Sequence, residues 1–257
     1  MTLHASCRSR PSRQGRLLNN LTLSGAEQMA LDALLLEQCW TEGRKQPVLR
    51  FYLWERPSLS LGKHQREIPD TWLSLARTGQ LDLLSRPSGG GAVLHAGGLT
   101  YALVWPEAPR QKREAYLQVN RWLMAGFAEL GVSLNPGNSA AEPGAINCFA
   151  RSTAADLVDP QGTKRIGSAQ FWQRGHLLQH GEIPLNPPAD LWAAVFGNEP
   201  PQWTPETPDV SAVERALIRS FGEGLSNHDW TDQPLSSEER TLMQQRAEGY
   251  RLGASAL

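Results

Sequence analysis

Ser85-Arg86-Pro87-Ser88-Gly89-Gly90-Gly91-Ala92-Val93-Leu94-His95-Ala96-Gly97-Gly98-Leu99-Thr100-Tyr101-Ala102-Leu103-Val104-Trp105 is the stretch on which the reading of this chain turns. Three consecutive glycines remove every Cβ from a tight turn, so the backbone is free to take positive φ and a ligand can approach its N–H groups directly. Such a loop suits an acyl or phosphate tail, and equally a plain glycine hairpin without a ligand. The flanks are β-branched, aromatic or aliphatic, which reads as strand, turn, strand with His95 at the turn. The run lacks the last glycine of the dinucleotide fingerprint. Gly62-Lys63-His64 has neither the earlier glycine nor the hydroxyl residue of a P-loop, so both nucleotide motifs are excluded.

Outward from that stretch, 257 residues with 40% hydrophobic content permit a substantial core, and one main domain with a modest tail is expected. A formal charge of −1 provides no field to draw the chain to nucleic acid or a membrane, so a protein partner or small substrate is the expected ligand. No apolar run is long enough to span a bilayer and no secretory signal is visible, which predicts a cytoplasmic protein. Cys7, Cys39 and Cys148 are odd in number and irregularly spaced, against a disulfide framework or a cysteine metal site.

Residues 1–20 carry four arginines among Ser, Gly and Pro with no acid, the composition of a flexible basic arm. Ser24 with Glu27 forms a capping box that opens a mostly apolar helix burying Cys39 and ending near Gly43. Val48–Trp54 and Pro57–Gly62 are strands. Lys63, His64 and Gln65 then stand at a strand end, as pocket lining or as an exposed polar loop. Asp70–Thr78 is a short helix, Leu81–Leu84 a strand, and Tyr116–Leu130 a helix stopped by Gly131. Asn135–Ala145 is a loop by composition. Ile166–Trp172 and Gly175–Ile183 are partner strands, and Ala189–Phe196, Val210–Phe221 and Ser236–Arg251 are helices. Strands and helices joined by hairpin-length turns predict an α+β fold with a mixed, largely antiparallel sheet flanked by helices.

Cys148, at the end of a Gly/Pro loop, is either a nucleophile able to reach a bound substrate or an inert loop cysteine. Lys164 enters the small-residue strand Gly167-Ser168-Ala169, where it either polarises an acyl carbonyl or stands as a solvated strand-end charge. His176 and His180 are four residues apart on a strand, about 13 Å, with no third ligand. No metal site is expected, and each reads as a hydrogen-bonded structural histidine. His95, beside the glycine turn, is a pocket residue.

Three blocks resemble the lipoate–protein ligase and octanoyltransferase superfamily, related in fold to biotin protein ligases: Leu49–Gln65, Arg86–Tyr101, and Lys164–Gln170 with Leu177–Ile183. The helix from Gly25 to Asp32 is similar to the family's opening helix. Cys148-Phe149, Ser152, Asp156-Leu157 and Lys164 are similar to the cysteine-dependent octanoyltransferases of the LipM type.

The resemblance implies a biotin/lipoate ligase-like catalytic domain over residues 21–225, with a charged helical tail at 226–257. It implies that Cys148 takes an octanoyl group from acyl carrier protein as a thioester and passes it to a lysine of a lipoyl-domain protein, such as glycine-cleavage H protein. Lys164 would polarise the carbonyl, while Arg86, Gly89, Gly90, Gly91, His95, Gly167, Ser168 and Ala169 would bind the acyl substrate. No ATP or metal is needed on that reading, since a thioester is already activated. The alternatives are an ATP- and Mg-dependent lipoate ligase, which would give Cys148 no role, and a non-catalytic acyl- or carrier-binding module. Ala96, Ser85 and Arg165 depart from the family pattern, where an aspartate, an arginine and an aliphatic residue are usual.

Overall fold

In a computed structural model the chain is described over residues 13–138, 149, 152–203, 206–223 and 228–252. The helices are α1 (Gly25–Thr41), α2 (Asp70–Arg77), α3 (Lys112–Glu129), α4 (Ala189–Phe196), α5 (Val210–Arg219) and α6 (Ser237–Ala247). The strands of one sheet are β1 (Arg13–Leu23), β2 (Val48–Trp54), β6 (Gly98–Trp105), β7 (Asn135–Pro136), β8 (Leu157–Val158), β9 (Lys164–Gln173), β10 (His176–Pro184) and β11 (His228–Asp232), in the order β11-β1-β2-β6-β10-β9-β8-β7. A smaller sheet orders β4 (Asp82–Ser85), β3 (Ser58–Leu61) and β5 (Val93–His95) as β4-β3-β5. Pairing is parallel at β11-β1, β1-β2 and β3-β4 and antiparallel elsewhere, the mixed, mainly antiparallel α+β fold expected.

Side chains alternate across a strand, so cross-strand register sorts the central strands into two faces. Leu49, Phe51, Tyr101, Leu103, Leu177 and Ile183 share one face and pack with Trp122, Leu123 and Phe127 of α3 and Leu217 of α5. On the other face, which α1 covers, two cross-strand rows are Gly167–Glu182–Thr100–Tyr52 and Ala169–His180–Ala102–Arg50. The α3 face is thus mainly apolar, with Gln179 buried in it, while the α1 face carries buried polar groups beside an apolar cluster of its own.

Local signals explain the boundaries. Ser24 accepts the Glu27 N–H and the Glu27 carboxylate reaches back to the Ser24 N–H, closing the capping box on α1. β9 turns into β10 through Arg174 at φ 50° and Gly175 at φ 84°, a two-residue turn whose twist matches antiparallel strands. Cys39 is buried in the α1 core, and burial pushes its thiol up to about 11.

Three expectations change. The segment around His95 is not one hairpin: β5 pairs with β3 in the small sheet and β6 pairs with β2 and β10 in the large one, so His95 ends a strand and is buried. Residues 13–20, assigned to the arm because of their arginines, are β strand. Arg16 is buried against the Glu239 carboxylate and so behaves as core. The stretch from residue 226 is more than a charged tail: β11 pairs with β1, and Leu235 and Met243 pack beside Leu34 and Leu35 of α1. Among the described residues no helix is long and apolar enough to cross a membrane.

Glu239 accepts from Arg16 at 2.7 and 2.8 Å, from Arg44 at 2.9 Å and from the Ser236 N–H at 2.9 Å. Burial alone would raise its carboxyl, but these donors together hold it at about 2, against 4.5 unperturbed. The folded value is depressed, so this contribution to stability is complete above pH 4.5 and is lost as pH falls toward 2. Glu239→Gln, followed by urea unfolding at several pH values, is expected to cost roughly 3 kcal/mol at neutral pH. The penalty should shrink as pH drops through that window.

Candidate active site

Above the α1 face of the sheet, between the glycine loop, α1 and the β9-β10 hairpin, lies a cleft of about 70 Å³. Arg86, Gly89, Gly90, His95, Gly167, Ser168 and Ala169 all line it. Gly91 is used differently. Its carbonyl and that of Gly89 each accept from Arg86 Nη2 at 2.7 Å, while Arg86 Nη1 donates to the Ser60 carbonyl at 2.7 Å. A buried guanidinium therefore sets the shape of the loop from inside.

Small residues create the space. On the α1 face of β9 only Gly167 and Ala169 project beneath the cleft, and a Cβ on Gly167 would stand 3.0 Å from Lys164 Cε and 3.3 Å from Phe149 Cζ. A Cβ on Gly62, at the end of β3, would stand 2.0 Å from the Gly90 carbonyl oxygen, so the two loops touch with no room for a side chain.

Two histidines form the polar floor. His95 Nδ1–H donates to Glu182 at 2.7 Å, and Ser60 Oγ lies 2.8 Å from its Nε2. Burial lowers the His95 pKa, Glu182 opposes that shift, and Arg86 and His180 add to the lowering, so a neutral ring accepts the Ser60 proton. Thr100 also donates to Glu182 and receives the Trp54 indole N–H at 2.7 Å, and Trp54 stacks on the His95 ring at 3.8 Å. His180 Nδ1 lies 3.1 Å from Asp32 and its Nε2 lies 2.6 Å from Ser88 Oγ. Asp32 also pairs with Arg50, and both are fully buried.

Lys164 is not the solvated strand-end charge of one reading: it is buried, 5% exposed, with Nζ 3.0 Å from Asp156 and 5.0 Å from the Phe149 ring centroid. Asp156 also accepts the Thr153 N–H at 2.7 Å and the Ser168 N–H at 3.2 Å, and its carbonyl accepts the Gly137 N–H at 3.0 Å. Cys148 lies outside the described residues. Its neighbour Phe149 packs edge-on to Trp192.

Sequence reasoning treated His180 as structural and gave Asp32, Ser60, Ser88 and Glu182 no role. The available signal was on β10 and α1, where His180, Glu182 and Asp32 occupy positions whose strand or helix periodicity makes them core. His176 meets the Pro106 carbonyl at 3.0 Å and stays structural. Lys63 and His64 are exposed. Among the described residues no group of three or more His, Cys, Asp or Glu could hold a metal ion.

Residues 24–222 match the lipoyl protein ligase A/B catalytic domain family. An octanoyltransferase LipM of Brevibacillus brevis is 36% identical over 241 residues, 88% of this chain and 82% of that protein. One from Carboxydothermus hydrogenoformans is 36% identical over 181 residues, 68% and 66% of the two chains. The crystal structure of a lipoate-protein ligase A bound with ATP superposes at a TM-score of 0.74 with 22% identity, covering 91% of this chain and 94% of that one, which shows a shared fold.

Asp32→Asn removes the charge partner of the buried Arg50 and is expected to cost roughly 3–5 kcal/mol in urea unfolding. Adding Arg50→Met should recover much of the loss, because the second change removes the stranded charge. Equal or greater loss in the double variant would show that the pair does not act as a unit.

Proposed function

Because the chain belongs to the lipoyl protein ligase A/B catalytic family and is an octanoyltransferase of lipoate biosynthesis, we propose that it works by a ping-pong transfer through a thioester on Cys148. The donor is octanoyl acyl carrier protein, the acceptor is a lysine of a lipoyl-domain protein such as glycine-cleavage H protein, and the reaction takes place in the cytoplasm.

The observation that supports this reading is the neck of the segment bearing Cys148. A Cβ on Gly137 would meet the Ser152 and Thr153 carbonyl oxygens at 2.6 Å, so the chain departs and returns at one point. Asp156 ties that point to Lys164 and to the Ser168 N–H. Phe149, bonded directly to Cys148, packs on Lys164 and beside Gly167 at the wall of the cleft.

In the first half-reaction the Cys148 thiolate attacks the donor's carbonyl carbon. The bond to the carrier sulfur breaks, and the carrier thiolate departs and takes up a proton. In the second, the acceptor amine attacks the Cys148 thioester, an amide forms, and the sulfur leaves as a thiol with the amine's proton. Lys164 stabilises the oxyanion that develops in each half, while the cleft holds the acyl chain over Gly167 and Ala169. The donor thioester is already activated, so the cycle requires no nucleotide.

Mixing the protein with octanoyl carrier protein, without nucleotide, is expected to add the mass of one octanoyl group, and Cys148→Ser should abolish that increase. An unmodified wild-type protein that instead consumes ATP with free octanoate would identify a ligase. Lys164→Ala is expected to slow acylation by roughly 10²–10³. Gly167→Ala, which pushes the ammonium aside, should slow it by roughly 10- to 100-fold in single-turnover assays.

A further inference from the structure

We propose that the exposed loop 62–67 is the docking site for the donor's phosphopantetheine arm, a chain of amides ending in a phosphodiester. This rests on the reading of the donor as an acyl carrier protein. Lys63, His64 and Arg66 are exposed, and Glu67 is the one acid among them. In a chain of net charge −1 this is a local concentration of positive charge rather than a reflection of the whole.

The loop is fixed to the rim of the cleft. The Lys63 N–H donates to the Ser88 carbonyl at 2.9 Å, and Gly62 abuts Gly90 so closely that a Cβ would stand 2.0 Å from its oxygen. The Lys63 ammonium sits 5.3 Å from the centroid of Phe171, two residues along β9 from the cleft residue Ala169 and on the same sheet face. Lys63 therefore places a cation beside the glycine loop at the rim of the cleft, with Arg66 three residues on in the same exposed loop.

Gln65 provides the second observation. Both polar atoms of its side chain are shielded from solvent and have no hydrogen-bond partner, a costly state for a carboxamide. A group that both donates and accepts is the complement of an amide in the arm. Lys63 and Arg66 then meet the phosphate, and the Gln65 carboxamide turns outward from its shielded position to meet an arm amide.

The test compares holo carrier protein, which bears the arm, with apo carrier protein, which has the same body and no arm, in fluorescence anisotropy titrations. Wild-type protein is expected to bind the holo form about tenfold more tightly. Lys63→Ala/Arg66→Ala and, separately, Gln65→Leu should each remove most of that preference. Circular dichroism of each variant should match wild type. A wild-type protein with no holo preference, a preference that survives in the variants, or an equal weakening toward both carrier forms would overturn the proposal. Because binding is read without acyl transfer, failure of Cys148 to acquire an octanoyl group would refute the transfer mechanism while leaving this result to stand or fall separately.

Discussion

A buried ion pair between Arg50 on β2 and Asp32 on α1 organises the polar side of the molecule. Neither residue is accessible to water, and a lone charge there would be severely penalised. Arg50 also bonds Gln28, whose amide nitrogen donates to the Leu21 and Leu53 carbonyls at 3.0 Å, so the first helix is tied to the sheet by its polar face. From Asp32 the contacts continue to His180, from His180 to Ser88, and from Arg86 to the glycine carbonyls. The loop most open to ligand is therefore held from behind by a network anchored in the core. That arrangement favours a fixed geometry over maximal stability, since apolar residues of similar volume would pack at no desolvation cost.

The two faces of the sheet divide the work. The α3 face is a conventional aromatic core in which Trp122 touches Tyr101, Phe51 and Phe221. The α1 face carries buried polar groups along two cross-strand rows, and there Gly167 and Ala169 leave the space of the cleft. Strand periodicity makes this possible, because alternate residues of one strand can serve the core and the cleft without interference.

Much of this was legible in the sequence because the signals were local. The Ser24–Glu27 capping box, the partner strands on either side of residue 174 and the glycine run each act through neighbours within a few residues. The histidine-to-acid pairs were not legible, since His95 and Glu182 are 87 positions apart and His180 and Asp32 are 148 apart. Their contacts depend on sheet register, which one sequence does not encode visibly. The split of β5 and β6 between two sheets was missed for a related reason: Gly97, at φ 69°, lets the chain change sheets within a turn that looks like a hairpin. Arg16 misled in the opposite direction, because composition alone cannot show that a basic residue faces Glu239 across 223 positions.

The late-coming segment 228–252 has a consequence for biogenesis. β1 lies between β2 and β11, and α6 covers the outer side of α1, so the opening helix meets its second neighbour only after all of the intervening sheet has been made. With synthesis at about 5–20 residues per second, a nascent polypeptide spends seconds with the Leu34 and Leu35 flank of that helix bare, an interval in which chaperones have a natural binding surface.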